Sequence, residues 1–410
     1  MTAVIPAPVA ATTWTIGAPR LLAGLDRVGR LDLHAHLATH AHLPHVDQAR
    51  LLEMLDAAAL AGRGGAGFPL AAKLRGLRGP RPRIVVNGSE SEPASAKDRT
   101  LLRRTPHLVL DGALAVAAAC RADSVVIAVS DAAAFTSVQA AVRERPDARA
   151  VTVRRTPATF VAGEARAVVQ ALDGGPALPP GRREPPTNHG TLVSNAETFA
   201  QLAILLRLGS RRFADTGSAL EPGTTLLTLS GAVGRPGVVE IPVGTPMGIL
   251  LRAAQADDAQ HIVIGGYHGC WIPPLADVPL SRAGLAAIGA TVGAGVLCVL
   301  DSATCALGEL ARVTGWLAAQ SAGQCGPCRF GLPALAEDVA AAAHGHPAGV
   351  PNAGRHAALV TGRGACAHPD GAARFVRSGL AALHDELVAH RGGGCGRALL
   401  GRLPIGGMAA

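Results

Sequence analysis

The stretch Gly62-Arg-Gly-Gly-Ala-Gly-Phe-Pro69 places four glycines within six residues. Such a segment reads as a loop whose backbone N–H groups can close around a phosphate or a flat ring, with no Cβ in the way. A second polar motif, Asn87-Gly-Ser-Glu-Ser-Glu-Pro93, follows shortly after. Its acids and hydroxyls offer directional acceptors for a polyhydroxyl chain or for ring nitrogens. The pair reads as a nucleotide or flavin cradle.

Gly62-x-Gly64-x-x-Gly67 also satisfies the dinucleotide-binding fingerprint, which needs a strand before it and a helix opening after it. The residues ahead of it, Leu51 to Ala61, carry apolar side chains at helical spacing instead. An ordinary Rossmann unit is therefore not expected. A glycine-rich surface loop with no ligand remains the bland alternative.

A chain of 410 residues, 49% hydrophobic and 17% charged, can bury two or three full cores and is not disordered. Aromatic residues make up only 3%, so Ala, Val and Leu must fill those cores. The net charge of +8 comes from scattered Lys and Arg without interleaved aromatics, which argues against nucleic-acid binding. No basic segment leads into an apolar core at the N-terminus, so a cytoplasmic chain is expected. The uncharged run Ala283 to Leu300 has 18 residues, four of them glycine, and reads as buried strands at Ala286–Gly289 and Gly295–Leu300 around a turn, not as a membrane span.

Helical and strand patterns alternate from about residue 51 to 215: strands at Arg83–Val86, Ser124–Ser130 and Ala150–Val153, and helices at Leu108–Ala119, Phe135–Arg143 and Glu164–Leu172. This alternation predicts an α/β domain with a largely parallel sheet. A compact β-rich unit follows over 222–275, then a helical bundle over 301–392. Residues 1–50 form a leader and 393–410 a tail.

Eight cysteines without an export signal point to ligands or free thiols. Cys120, Cys270, Cys298, Cys305 and Cys395 stand singly and read as small buried hydrophobes. Cys325-Gly-Pro-Cys328, followed by Cys366, is the one constellation. A redox dithiol would need a strand before the pair, and a zinc site would need four paired ligands. An iron–sulfur cluster needs a tight cysteine run plus a distant cysteine, and fits best although one ligand short. Zinc, a dithiol and plain buried thiols stay open. Asp32-Leu-His34-Ala-His36, with His40, His42 and His45, has the paired histidines of metal-dependent hydrolases, but no barrel repeat follows. A histidine-rich, partly solvated helix is expected there.

Five motifs now stand in order: Gly62–Pro69; Asn87–Pro93 with Lys97-Asp-Arg99; Gly163-Glu164; Ser194-Asn195-Ala-Glu-Thr198; and Gly323-Gln-Cys325-Gly-Pro-Cys328-Arg with Cys366. In this order and spacing the chain resembles, from about residue 50 to 390, the family of flavin- and NADH-binding subunits of respiratory complex I. The same family includes flavoprotein subunits of NAD-linked hydrogenases and formate dehydrogenases. The resemblance implies an α/β FMN-binding domain, a small SLBB-type β-grasp-like domain, and a helical bundle with an iron–sulfur site. It implies hydride transfer from NAD(P)H to FMN, then single electrons to a [4Fe–4S] cluster. Onward carriers would be a [2Fe–2S] ferredoxin-like subunit or a ferredoxin, with membrane contact only through a partner, at its inner face.

By the same resemblance, Gly62, Arg63, Gly64, Gly65, Gly67, Lys73, Asn87, Ser89, Glu90, Ser91, Gly163, Ser194, Asn195 and Thr198 line FMN. Phe68 borders the nicotinamide nucleotide, Glu92 and Glu164 act in the reaction, and Cys325, Cys328 and Cys366 hold the cluster. Departures accompany these matches. The family's first cluster cysteine is Ala322, so a [3Fe–4S] cluster or a cube with one non-cysteine ligand is expected. Its second glutamate after Gly163 is Ala165, its upstream tyrosine is Phe160, and the acidic residue of its Asn motif is Ser89. Two adenine-clasping rings are replaced by Gly76 and Thr187. Two functions follow: an NAD(P)H-oxidising flavoprotein subunit, or a scaffold that keeps FMN or cluster but has lost nicotinamide oxidation.

Overall fold

The computed structural model describes residues 12–181 and 184–406; the first eleven residues of the leader, residues 182 and 183, and the last four of the tail lie outside it. A short strand β1 (Thr13–Thr15) precedes four parallel strands, β2 (Arg83–Gly88), β3 (Ser124–Val129), β4 (Val151–Arg155) and β5 (Thr191–Asn195). These four form one sheet in the order β4-β3-β2-β5. The chain moves outward from β2 to β4 and returns on the other side as β5. The strand order therefore reverses between β2 and β5, and in open α/β sheets a ligand crevice lies outside the carboxyl ends at that reversal. Asn87 ends β2 and Asn195 ends β5, so two of the five motifs flank the crevice.

The helices that cover this sheet follow their apolar spacing, Pro106–Cys120 and Ala196–Ala214 on one face. These two pack so closely at Gly112 that an added Cβ would stand 1.9 Å from the Phe199 carbonyl oxygen. Even one methyl there would force the helices apart.

The next five strands are β6 (Thr224–Gly231), β7 (Gly237–Pro242), β8 (His261–Ile264), β9 (Cys270–Ile272) and β10 (Val296–Leu300). With β1 they form a mixed sheet in the order β1-β7-β6-β10-β8-β9. Strand β10 is buried along its whole length, which matches a central strand covered on both faces. The other half of the uncharged run is not a strand. Residues 282–286 form a short helix, because the Ser281 hydroxyl accepts from the Gly284 N–H at 3.0 Å and caps it.

Part of the leader is structured. Strand β1 pairs in parallel with β7, and the buried Glu240 carboxylate accepts the backbone N–H groups of Arg20, Leu21 and Leu22 at 2.9–3.0 Å. The C-terminal bundle has helices at Ala306–Ala319, Leu332–Ala343, Gly349–Val360, His368–Ala382 and His384–Arg391. Its core, with Trp316 and Phe375, continues into Tyr267 and Trp271 of the mixed sheet. Among the described residues no helix is long and apolar enough to cross a membrane.

Candidate functional site

The glycine loop is closed at its base by an antiparallel bridge between Ala61 and Pro69, and the Gly62 N–H donates to the Phe68 carbonyl at 2.9 Å. Gly65 and Gly67 take φ of +104° and +62°, a region that L side chains rarely adopt. The helix Gln48–Ala57 precedes the loop, so the strand of a Rossmann fingerprint is missing, as the spacing predicted. The Arg63 N–H donates to the Thr198 hydroxyl at 2.9 Å, and this ties the loop to the start of helix Ala196–Ala214.

Beneath the loop lies a cavity of about 570 Å³. Its walls bring together Gly62–Phe68, Lys73, Asn87, Ser89–Glu92, Gly163, Glu164 and Ser194–Asn195 from five separate segments. Thr198 stands just behind, on the Arg63 N–H. Several side chains are already committed to the protein. Asn87 donates to the Gly163 carbonyl at 2.9 Å, and the Ser89 hydroxyl meets that of Thr156 at 2.5 Å. A Cβ on Gly163 would lie 2.3 Å from the Ser91 hydroxyl, so the two motifs touch only because this residue is glycine. Lys73 donates to the Val193 carbonyl at 3.0 Å, and burial lowers its pKa.

The three glutamates behave differently. Glu90 accepts the N–H groups of Asp98 and Arg99 at 3.0 and 3.1 Å and so caps helix Lys97–Arg104. Glu164 caps helix Ala165–Leu172 through the N–H groups of Arg166 and Ala167, and pairs with the Arg166 guanidinium at 2.9 Å. Glu92 reaches across to the mixed sheet and accepts the Tyr267 N–H at 2.8 Å. Burial pushes the Glu92 carboxyl up to about 7, against the two backbone N–H groups it accepts.

That shift has a measurable consequence. Between about pH 4.5 and 7 the folded chain keeps a proton on Glu92 that the unfolded chain has lost. Stability contributed by this group therefore falls as pH rises through that window and is level above it, a change of up to roughly 3 kcal/mol. Glu92→Gln has no such titration. The difference in unfolding free energy, mutant minus wild type, should climb from pH 4.5 to 7; a flat difference curve would remove this assignment.

Residues from distant segments complete the cavity and carried no local signal in the sequence. Thr291, Gly293 and His268 come from the mixed sheet's loops, and Arg374 from the bundle. Within the wall, Lys97 is buried between Asp98 at 2.9 Å, Glu197 at 3.1 Å and the Asn195 side-chain oxygen at 3.1 Å. Lys97 and Glu197 lie within two of the motifs, but only the fold shows that they pair, beside Asn195 at the end of β5.

Of the three cysteines, Cys366 lies on the cavity wall. Cys325 and Cys328 sit on the turn entering helix Leu332–Ala343, and Cys366 on the loop before His368–Ala382. Burial, with Cys325 beside it, pushes the Cys328 thiol up to about 12. Although burial opposes it, the N–H groups of Ala365 and Cys328 hold Cys325 below the usual thiol range. Cys366 lines the same cavity as the glycine loop. Phe160 packs edge-on against His268, Trp316 and His368 at 4.8, 5.2 and 5.5 Å, between cavity and bundle.

The cavity's chemistry suits FMN. It has a glycine cradle, and the Ser194 hydroxyl and Arg63 Nε are buried at it without a hydrogen-bond partner. The thiol set suits iron, being soft and largely buried. Two of the N-terminal histidines are structural instead: His36, on helix Leu33–His40, pairs with buried Asp111 at 2.7 Å, and burial lowers His40 to about 3, while His34, His42 and His45 are exposed.

Residues 55–204 match the family model described as the Nuo51 FMN-binding domain, and residues 308–390 match the NADH-ubiquinone oxidoreductase-F iron-sulfur binding region. The F subunit of NADH-quinone oxidoreductase in Mycobacterium bovis is 30% identical over 381 residues, covering 84% of this chain and 85% of its own length. The chain belongs to the family of NADH-quinone oxidoreductase F subunits. The family's Streptomyces coelicolor member is likewise 30% identical, over 377 residues and 84% of each chain. The family's fold extends to a solved NAD+-reducing [NiFe]-hydrogenase in its air-oxidized state. That structure has a TM-score of 0.81 at 27% identity and covers 93% of this chain and 68% of its own. The α/β FMN-binding domain and the C-terminal iron–sulfur region are thus family features as well as observed ones.

Proposed function

We propose that this family member oxidises a nicotinamide nucleotide at the cavity under the glycine loop and passes single electrons to the Cys325–Cys328–Cys366 site and on to a partner. One observation carries this reading: the glycine loop, the Asn87–Glu92 motif and Cys366 line a single cavity. FMN, when bound there, supplies the exchange between a two-electron hydride donor and one-electron iron–sulfur chemistry. Gly62, Arg63, Gly64, Gly65 and Gly67 would cradle it, with Lys73, Asn87, Ser89, Glu90, Ser91 and Gly163 along its sides. Ser194, Asn195 and Thr198 would close the end at the helix start. Phe68, 51% exposed at the mouth, offers an apolar face to the incoming nucleotide, and Glu92 and Glu164 border the reacting region. Cys325, Cys328 and Cys366 would hold a [4Fe–4S] or [3Fe–4S] cluster.

The mixed sheet supports an SLBB-type, β-grasp-like unit in the middle. Strands β6 to β10 run in the order β7-β6-β10-β8-β9, with β6 and β10 parallel at the centre and helix Met247–Ala253 packed against them. We set the domains at 51–215, 222–275 extended by β10, and 301–392. Phe330, 73% exposed two residues beyond Cys328, supplies an apolar contact where a ferredoxin-like [2Fe–2S] partner would take electrons. Any seat at the inner face of a membrane would be through that partner.

The nucleotide pocket is thinner than the family's, which also supports a second reading as a scaffold without nicotinamide oxidation. A Cβ on Gly76 would lie 3.9 Å from the Thr187 hydroxyl, so the two positions that carry rings in the family face one another across one notch. Each missing stacking pair removes about 0.5–1.5 kcal/mol of binding from either nucleotide. Ala165 removes the carboxylate that would accept a ribose hydroxyl and repel a 2′-phosphate, roughly 1.5–3 kcal/mol of discrimination. Arg166 adds little net charge, because it is paired with Glu164. Stopped-flow flavin bleaching should show a high apparent KM and a small preference for NADH over NADPH. Tight, exclusive use of NADH would contradict this pocket, and no bleaching by either nucleotide would favour the scaffold.

A further inference from the structure

A second cluster of ligating side chains lies at the end of the bundle and shares no residue with the three-cysteine site. Cys305 ends the loop before helix Ala306–Ala319, Glu386 and His390 lie on helix His384–Arg391, and Cys395 follows in a glycine-rich turn. One ligand atom from each of these four falls within 4.8 Å of all the others. Among the described residues this is the one group of His, Cys, Asp and Glu so drawn together.

The local geometry is that of a metal site. Cys305 Sγ is 3.4 Å from His390 Nε2. Zinc bonds of about 2.3 Å to sulfur and about 2.0–2.1 Å to nitrogen, at a tetrahedral angle, need about 3.6 Å between those atoms. His390 Nδ1 lies 2.5 Å from the Ala343 carbonyl, to which it can only donate. That bond leaves Nε2 with its lone pair facing the sulfur, the outer hydrogen bond that orients metal-binding imidazoles. The Cys305 N–H donates to the Ala398 carbonyl at 2.8 Å, which holds the segment after Cys395 against the loop of Cys305. Gly393, Gly394 and Gly396, at φ of +115°, +119° and +69°, make the turn that returns Cys395 to the helix end.

We propose that Cys305, His390, Cys395 and Glu386 form a structural zinc site that staples the C-terminal segment to the bundle. Two thiolates and an imidazole select zinc over hard cations. Glu386 accepts the N–H groups of Ala306 and Leu307 at 3.2 and 2.8 Å on separate oxygens, and Oε2, which takes only the Leu307 N–H, keeps a lone pair for the metal. Two thiolates and a carboxylate exceed the charge of a dication by one, and Arg397, 2.8 Å from Glu386, supplies the balance. Binding releases the two thiol protons, so loading should improve as pH rises.

The test is metal analysis of the full-length protein, purified under reducing conditions and dialysed after exposure to zinc. About one zinc per chain is expected beside the iron, and cobalt in its place should give tetrahedral d–d bands with thiolate charge transfer. Cys395→Ser, in the partly exposed turn, should lose the zinc and keep flavin and iron; Cys328→Ser should lose iron and keep the zinc. If Cys395→Ser fails to fold, as loss of flavin would report, chelation of the wild-type protein decides. Removing zinc should then speed tryptic cleavage at Arg397 and Arg402. Wild-type protein that takes up neither zinc nor cobalt overturns the site. So do zinc retained in folded Cys395→Ser, a Cys305–Cys395 disulfide found by mass mapping, or tail cleavage unchanged by chelation.

Discussion

Gly65→Asp should give a folded protein that carries no flavin. The position is exposed, and a Cβ there would stand 3.6 Å from the Gly293 backbone, in ordinary contact. The φ of +104° adds strain of about 1–2 kcal/mol, which a chain of this size tolerates. The new carboxylate would enter the cradle where an anionic phosphate or the ring must approach. Like-charge juxtaposition costs several kcal/mol, and about 1.4 kcal/mol is tenfold, so affinity should fall by at least about 100-fold. Flavin absorbance per chain, with circular dichroism as the folding control, measures this. Stoichiometric flavin in the folded variant would show that the cradle has been assigned to the wrong loop.

The second large effect concerns iron. Three thiolates leave one iron of a cube without a cysteine, so the centre should lose iron in air and show a [3Fe–4S] EPR signal when oxidised. Cys366→Ser should abolish bound iron, because it removes one of only three thiolates. Ala322→Cys should do the opposite. Ala322 lies partly exposed on the loop before Cys325, so the added sulfur displaces no core residue and supplies the missing ligand. Anaerobic iron and sulfide analysis with EPR, before and after air, separates the outcomes. Iron loss in air that Ala322→Cys leaves unaltered would contradict the ligand set. So would protein with no iron signal and more than the one zinc expected at Cys305.

Much of the FMN domain was legible in the sequence because its signals are local. Strands β2, β3 and β4 are short Val- and Ile-rich runs between helical patterns, and periodicity alone places them in a parallel sheet. The glycine loop and Asn87–Glu92 declare their chemistry within a few residues. The hidden features depend on distance. Strand β1 and its anchor Glu240 lie more than two hundred residues apart, and nothing near Thr13 marks it as sheet. The uncharged run 283–300 offered no alternation to separate helix from strand, and a single serine cap decided its first half. Cys305 and Cys395 read as isolated hydrophobes because only tertiary packing brings them to His390. His268 and Arg374 reach the cavity from outside the FMN domain, so no motif within that domain could have included them.

The most direct test of the central claim is to add NADH to anaerobically purified, flavin-loaded protein and follow the flavin absorbance and the iron EPR spectrum together. Electron flow through the shared cavity predicts flavin bleaching and, in the same samples, a change in the iron signal that Cys366→Ser abolishes. Bound flavin that NADH does not bleach, or bleaching that leaves the iron signal unaltered, would contradict it.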